Sequence, residues 1–262
     1  MLLIFGALKI ELAGIIRKTG IREKYLSGKV LLCRGKMGKD DVLISITGMG
    51  KDNAARAAGI VLKQVKPIDI KDIRVLITGF CGACRKGLKP GDLVVYKSVM
   101  DLAGPGPVKG CENRKVPARY DLPDNTAAGL SGKGMLPVTC GCTGHVVSTP
   151  GEKKRLFDDH GAEVVDMESF WLIESLVNNG IPPGRINCIR AVSDGAGDRL
   201  PPYMAGAGAK KIIPGLCGSA VRSVFSPAEL RSNISSFRNL RKAGNVLALL
   251  PDMLLSKKDI SL

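Results

Sequence analysis

Two acidic side chains between residues 164 and 198 have the type and spacing that acid–base chemistry requires. The segment reads VVDMESFWLIESLVNNGIPPGRINCIRAVSDGAGD. Apolar residues three and four apart predict a helix that opens at Glu168 and ends before the Pro-Pro pair. Residues 186–192 predict a short buried strand, with Asp194 at its carboxyl end. Ligands of open α/β sheets bind at that end, so both carboxylates are candidates for one site.

The same residues also have ordinary structural explanations. An acidic residue such as Glu168 at a helix start complements the helix dipole, and an aspartate before a glycine, such as Asp194, is common in turns. Met167 and Trp171 have the spacing and residue type of core positions. Periodicity alone therefore leaves both interpretations open.

The rest of the chain predicts the elements that must position these carboxylates. Strands and helices alternate, with strands predicted at 2–7, 29–33, 41–46, 73–77, 93–97 and 138–148, and helices at 52–65 and 152–160. This pattern indicates an α/β fold with a mixed or mostly parallel sheet and helices on both faces. Because no repeat or linker is evident, a single domain over 1–262 is expected. A Gly- and Pro-rich loop at 100–135 has the length of a functional or mobile loop.

Two glycine-rich turns are predicted to follow strands, TGMG at 47–50 and TGFCGA at 78–83. Backbone N–H groups gathered in such turns suit an anion or a ribose hydroxyl. Neither turn has the GxGxxG pattern or the Lys-Ser/Thr of a P-loop. Glycine for close backbone packing is the alternative explanation.

The net charge of +15 would suit nucleic acid, an anionic membrane surface or a solvated basic face. Aromatic residues are scarce and no nucleic-acid-binding motif is present, so a nucleic-acid partner is not expected. A basic extension at about 210–262 includes an apolar piece, 246–255, flanked by Arg241, Lys242, Lys257 and Lys258. The pattern fits an interfacial helix or an ordinary packing helix, and Pro251 favours the second.

Cysteine usage and the N-terminus both favour a cytoplasmic protein. The eight cysteines are expected as free thiols. A zinc site from Cys81-x-x-Cys84 and Cys140-x-Cys142 is disfavoured by the second spacing, so no metal or cofactor is expected. The apolar N-terminus carries its first charge at Lys9 and is interrupted by Glu11, unlike a signal sequence. No apolar run is long enough for a transmembrane span.

Five segments, in order, resemble motifs of the nucleoside phosphorylase and nucleosidase superfamily, particularly of methylthioadenosine/S-adenosylhomocysteine nucleosidases. They are GALKIE at 6–11 (GAMxxE), TGMGKDNA at 47–54 (SGIGKxxA), TGFCG at 78–82 with LKPGDLVV at 88–95 (TGxAGG…LKxGDxVV), VDME at 165–168 (VEMEx) and RAVSD at 190–194 (RAISD). The resemblance implies a three-layer phosphorylase/hydrolase-like fold. It also implies cleavage of an N-glycosidic bond through a ribosyl oxocarbenium-like transition state.

The resemblance assigns a role to each carboxylate. Asp194 would protonate or hydrogen-bond N7 of the departing purine, which requires a carboxyl that is protonated or shares a proton. Glu11 would orient and deprotonate the attacking water, and Glu168 would bind the ribose hydroxyls. Met167 would form an apolar floor under the ribose. The matching positions imply further substrate contacts from Gly79, Phe80, Thr149 and Ser193.

Departures from the phosphorylase motif favour water over phosphate as the nucleophile. Phosphorylases of the superfamily hold phosphate with an arginine and a serine in the third motif. Ile77 or Thr78 stands near the arginine's place here, and Phe80 replaces the serine. Arg85 follows but is out of register, and a dianion without a cationic clamp is poorly held. Hydrolysis is therefore favoured, with a phosphate-dependent purine nucleoside phosphorylase as the alternative.

The segment STPGEKK at 148–154, together with VDMES, RAVSDGAGDRLP and the basic extension, resembles the hopanoid-associated phosphorylase-like branch. That branch is linked to the removal of adenine from adenosylhopane, which leaves ribosylhopane. A lipid-linked substrate would explain the basic extension through peripheral contact with an anionic inner-membrane surface. The family also implies a homo-oligomer, a dimer or larger. From another class, a non-catalytic basic protein that binds a nucleoside or nucleic acid is the alternative, although such a module has no need of both Glu11 and Asp194.

Overall fold

The computed structural model describes residues 1–65, 73–103, 118–122, 134–201 and 227–255. Its strands are β1 Leu2–Gly6, β2 Gly20–Ser27, β3 Val30–Met37, β4 Asp40–Ile46, β5 Arg74–Ala83, β6 Leu93–Asp101, β7 Arg119–Asp121, β8 Leu136–Cys142, β9 Val164–Asp166 and β10 Ile186–Asp194. Its helices are α1 Lys9–Lys18, α2 Lys51–Leu62, α3 Pro150–His160, α4 Ser169–Asn178, α5 Pro227–Leu247 and α6 Leu250–Leu255, with a short 3₁₀ turn at Pro183–Arg185.

The ten strands form one mixed sheet, as the alternating pattern predicts. Strand order is β10-β6-β8-β9-β5-β1-β4-β3-β2, and β7 pairs with β6. An additional parallel pairing of β10 with β5 closes β5, β10, β6, β8 and β9 into a ring. This closure gathers the carboxyl-terminal ends of β5, β9 and β10, where the candidate site residues lie.

Helices cover both faces of the sheet, and successive side chains of β1 pack into two different apolar cores. Leu3 and Phe5 pack in one cluster with α2 and α4, whereas Leu2 and Ile4 pack in another with α1 and α5. Apolar residues on both sides of a strand require cover on both sides. The three-layer α/β architecture expected from the sequence is confirmed.

Several element boundaries differ from the sequence-based expectations. Strand β5 continues through the glycine-rich segment 78–83 instead of turning there, because β10 and β9 supply hydrogen-bonding partners along it. The strand expected at 138–148 ends at Cys142, and the chain then leaves the sheet to reach α3. Strand β3 extends beyond the short strand expected at 29–33, since it pairs with both β2 and β4.

The described part of the basic extension packs on the body of the protein. Ala243, Leu247 and Leu250 are fully buried, and α5 contacts both α1 and β10. Lys18 of α1 forms an ion pair with Asp252 of α6. These contacts are those of a packing helix and not of a free interfacial one. No helix within the described ranges is long and apolar enough to cross a membrane.

Two sequence-based expectations concern residues outside the described ranges. Most of the loop at 100–135 falls there, at 104–117 and 123–133. The basic extension also lies outside the described residues at 202–226 and 256–262, including Lys257 and Lys258.

Candidate active site

Glu11 is held at the first turn of α1 by two backbone amides. Leu8 N–H donates to Oε2 at 2.7 Å, and Phe80 N–H of β5 donates to Oε1 at 2.9 Å. The side chain is 4% exposed. Burial raises its pKa above the usual carboxyl range, while nearby Arg190 and the backbone N–H donors partly offset the rise. A buried carboxylate with a raised pKa is suited to act as a base near neutral pH.

Glu168 lies between β9 and α4 and reaches across to the glycine turn that precedes α2. Gly50 N–H donates to Oε1 at 2.8 Å, and Gly50 adopts a φ of +87°, which favours glycine. Burial raises the pKa of Glu168 to about 7, although the guanidinium of Arg190, 3.9 Å from Oε2, opposes the shift. The carboxylate is therefore poised to change charge near neutral pH.

Arg190, on β10, connects the groups around these two carboxylates. Its Nη2 lies 3.1 Å from Asp166 Oδ2 and donates to Ser169 Oγ at 2.9 Å, and its Nη1 donates to Phe80 O at 3.3 Å. Burial would lower the pKa of Arg190, but Asp166 and other neighbours raise it well above its usual value. The guanidinium remains charged and holds the ends of β5, β9 and β10 together. Sequence reasoning did not single out Arg190, although a cation inside the apolar strand INCIRAV was a usable signal.

Asp194 ends β10 and is 4% exposed. Ser193 Oγ donates to its Oδ1 at 2.5 Å and lies 3.1 Å from Cys81 O. The ammonium of Lys153, on α3, donates to Oδ2 at 2.5 Å. The sequence does not distinguish Lys153 from its neighbour Lys154, and for this reason Lys153 was missed. The one signal is that Lys153 lies three residues before Leu156, which places both side chains on the same face of α3.

Glycine is required beneath the carboxylates for close approach. Gly79 has a φ of +144°, and a Cβ there would lie 2.6 Å from Arg190 Nη1 and 2.7 Å from Glu11 Oε1. A Cβ at Gly82 would lie 3.0 Å from Asp194 Oδ2. The backbone N–H groups of these segments were expected to bind an anion or a ribose hydroxyl of a ligand. In the structure, Gly50 N–H donates to Glu168 and Phe80 N–H donates to Glu11. Close packing, the alternative explanation, accounts for 78–83.

A cleft of about 650 Å³ brings most of the predicted site residues together. Its lining includes Glu11, Phe80, Met167, Glu168, Ser193 and Asp194. Two predicted contacts are not among the lining residues: Gly79 lies beneath Glu11, and Thr149 Oγ1 caps α3 by accepting a hydrogen bond from Glu152 N–H at 3.3 Å.

The same cleft continues between α1 and α5 as an apolar arm. Its walls there include Ile10 and Ala13 of α1, and Phe237 and Leu240 of α5, with Arg17 and Arg241. Ile10 and Phe237 are each 43% exposed, so the arm presents apolar surface from both helices.

The residues considered for phosphate and for zinc have other surroundings. Arg85 Nη1 donates to Glu163 Oε1 at 2.7 Å and does not line the cleft. Cys81, Cys84, Cys140 and Cys142 are buried free thiols. Within the described residues there is no group of three or more His, Cys, Asp or Glu side chains placed to hold a metal ion.

The fold is also that of several solved structures at low sequence identity. Futalosine hydrolase of Helicobacter pylori strain 26695 superposes with a TM-score of 0.69 at 16% identity, over 98% of this chain and 97% of that chain. The 5′-methylthioadenosine/S-adenosylhomocysteine nucleosidase of Neisseria meningitidis, in complex with methylthio-immucillin-A, gives 0.69 at 17% identity, over 98% and 99%. S-adenosylhomocysteine nucleosidase of Streptococcus pyogenes gives 0.68 at 16% identity, over 96% of each chain.

A comparison with curated proteins yields no match. The family model described as the phosphorylase superfamily matches residues 2–206, well over half of the chain. This match agrees with the ordered motifs and with the three-layer architecture. The chain belongs to the phosphorylase superfamily.

Proposed function

We propose that the protein hydrolyses the N-glycosidic bond of a purine nucleoside, an adenosyl compound in particular. The observation that carries this proposal is the convergence of Glu11, Glu168 and Asp194 on one cleft, with Met167 beside them. Two structures of similar fold are a futalosine hydrolase and a methylthioadenosine/S-adenosylhomocysteine nucleosidase. Three carboxylates with separate surroundings suit a reaction that needs a base, an acid and a stabiliser of positive charge.

The roles follow from the surroundings of each carboxylate. Glu11, desolvated and fixed by two amides, activates the water that attacks C1′. Glu168 accepts hydrogen bonds from the ribose hydroxyls and, when ionised, stabilises the developing oxocarbenium charge. Asp194, oriented by Ser193, protonates or hydrogen-bonds N7 so that the purine leaves as a neutral base.

Water is proposed as the nucleophile because the cationic groups are wrongly disposed for phosphate. Arg85 pairs with Glu163, and Arg190 is engaged by Asp166, Ser169 and Phe80 O. The arginines that line the cleft, Arg17 and Arg241, belong to α1 and α5 in its apolar arm. Among the residues that the structure describes, phosphate near C1′ would thus face carboxylates without a cationic clamp.

The apolar arm supports a substrate with a large apolar 5′ substituent, for which adenosylhopane is the proposed case. Ile10, Phe237 and Leu240 offer a surface that a polycyclic hydrocarbon would cover. Arg17 and Arg241 are exposed and would favour an anionic surface from which such a lipid is drawn. Peripheral contact with an anionic inner membrane and a homo-oligomeric state, dimer or larger, complete the proposal. Binding to anionic vesicles at low salt, and light scattering, test these two parts.

The experiment that tests the activity is base release from a nucleoside panel, with and without phosphate. The panel contains methylthioadenosine, S-adenosylhomocysteine, inosine and an adenosylhopane extract, and products are separated by chromatography. Free adenine with a reducing ribose, independent of phosphate, is the expected result. Ribose-1-phosphate formed only with phosphate would identify a phosphorylase. No base release by folded protein would favour a non-catalytic binding protein and overturn the proposal.

A further inference from the structure

Lys153 is a fully buried lysine whose three ammonium protons all have acceptors. Its side chain is 0% exposed. Nζ donates to Asp194 Oδ2 at 2.5 Å, to Gly195 O at 2.7 Å and to Asp198 O at 3.1 Å. An ammonium has three donors and no acceptor, so this site matches its protonated form.

This lysine stands behind Asp194 as seen from the cleft. Asp194 and Ser193 line the cleft, whereas Lys153 does not. The side chain of Asp194 therefore lies between the ammonium of Lys153 and the cleft. Burying a charged lysine is costly unless it is paired and fully hydrogen-bonded. Leu156, three residues further along α3, packs against a buried apolar cluster, so this face of the helix also accepts an apolar side chain.

The ion pair changes where the proton for the leaving base resides. A carboxylate beside an ammonium is ionised at rest, yet N7 of a purine is an acceptor and needs a donor. The pair satisfies both requirements if it holds one mobile proton in total. That proton rests on Nζ and moves to the carboxyl when the base leaves.

We propose that Lys153 is a positioning residue that supplies, through Asp194, the proton taken up by the departing base. This inference rests on the proposed function. As the C1′–N9 bond breaks, its electron pair goes to the base, Nζ gives its proton to the Asp194 carboxylate, and Asp194 passes a proton to N7. Water adds to C1′ and its proton goes to Glu11. After the base departs, Lys153 recovers a proton through Asp194, which lines the cleft, and Glu11 releases its proton to solvent.

Other titratable groups around the pair do not supply this proton. Cys84 and Cys81 face it from β5 and the residues after it, and burial raises the pKa of Cys84 to about 12 and that of Cys81 well above its usual value. The Asp198 carboxylate accepts from Gly195 N–H at 2.8 Å. Glu152, on α3, pairs with His145 at 2.6 Å.

The test compares the pH profile of kcat/KM for wild type, Lys153→Met and Lys153→Arg, with Lys154→Met as matched control. Lys154 is the exposed neighbour, and its side chain is 73% exposed. In Lys153→Met, Asp194 must carry the proton alone. The pH above which kcat/KM falls should therefore be lower than in wild type. The expected loss is about tenfold or less at pH 6 and about 10²-fold or more at pH 8–9, the scale of one acid function. Lys153→Arg keeps the charge but cannot release a proton, so it should not restore turnover.

Two results would overturn the inference: a Lys153→Met profile parallel to wild type, lowered by one factor at every pH, or full turnover by Lys153→Arg. If Lys153→Met does not fold, Lys153→Ala assayed with ethylamine replaces it. Rescue of turnover by the amine but not by guanidinium supports the proton transfer, and equal rescue by both contradicts it. Failure of wild type to release base would instead remove the proposed function itself, so the two failures are distinguishable.

Discussion

The carboxylate of Glu11 and the backbone N–H of Phe80 are joined by a 2.9 Å hydrogen bond that links residues 69 positions apart. This bond fixes the first turn of α1 against β5, at the level where Arg190 binds Phe80 O. A base that must hold one water molecule benefits from such fixation, because the geometry of attack is set before the substrate arrives.

Replacement of Glu11 by Gln is expected to lower kcat by about 10²–10⁴ while changing KM little, because the amide cannot take a proton. Its single oxygen can accept only one of the two hydrogen bonds that Leu8 N–H and Phe80 N–H donate to Glu11. The measurement is steady-state adenine release at several substrate concentrations. Glu23→Gln, on the exposed face of β2, is the control and should behave as wild type. Retention of wild-type kcat by Glu11→Gln would assign the base elsewhere.

Glu168 should make stability depend on pH. Burial raises its pKa to about 7 in the folded protein, above the value of about 4.3 expected in the unfolded chain. Between these values the folded state holds a proton that the unfolded state has lost. The stabilisation from Glu168 is therefore complete below about pH 4.3 and is lost as pH rises through about 7.

The matching measurement is urea unfolding of wild type and Glu168→Gln between pH 4 and pH 8. The free energy of unfolding of wild type should fall relative to that of the Gln variant as pH rises across this range, because Gln has no proton to lose. A difference between the two proteins that stays constant with pH would show that Glu168 ionises normally in the fold.

Gly79→Ala is expected to damage both stability and activity. The new Cβ would clash with Arg190 Nη1 and Glu11 Oε1, and the φ of +144° is unfavourable for alanine. Backbone strain alone costs about 1–3 kcal/mol, and displacement of Glu11 should lower kcat further. Thermal unfolding and base release measure the two effects. Gly184→Ala is the control, since no atom lies within 4 Å of its added Cβ.

The sequence predicted the architecture and part of the site, and the missing part has a physical explanation. The apolar periodicity placed Glu168 at a helix start and Asp194 at the carboxyl end of a strand, whereas Glu11 entered the site only through the motif resemblance. Arg190 and Lys153 were missed because a buried cation is recognised by its partners, and these come from distant segments. Asp166 is 24 residues from Arg190, and Asp194 is 41 residues from Lys153.

The apolar arm should decide which 5′ substituent is accepted, so Phe237→Ser should act selectively. Phe237 lines the arm on α5 and is 43% exposed, and a long apolar substituent would cover the remaining area. Burial of part of a phenyl ring contributes about 1–1.5 kcal/mol, or about tenfold in kcat/KM. Substrates with a long apolar 5′ group should lose this factor, while methylthioadenosine should lose little.

The matched control is Phe157→Ser, since Phe157 is similarly exposed at 37% on α3 but does not line the cleft. It should leave both classes of substrate unaffected. An equal loss for short and long 5′ groups in Phe237→Ser would mean that the ring supports α5 and does not contact the substituent. A loss confined to the long apolar groups would place the substituent between α1 and α5, beside the base-activating carboxylate of Glu11.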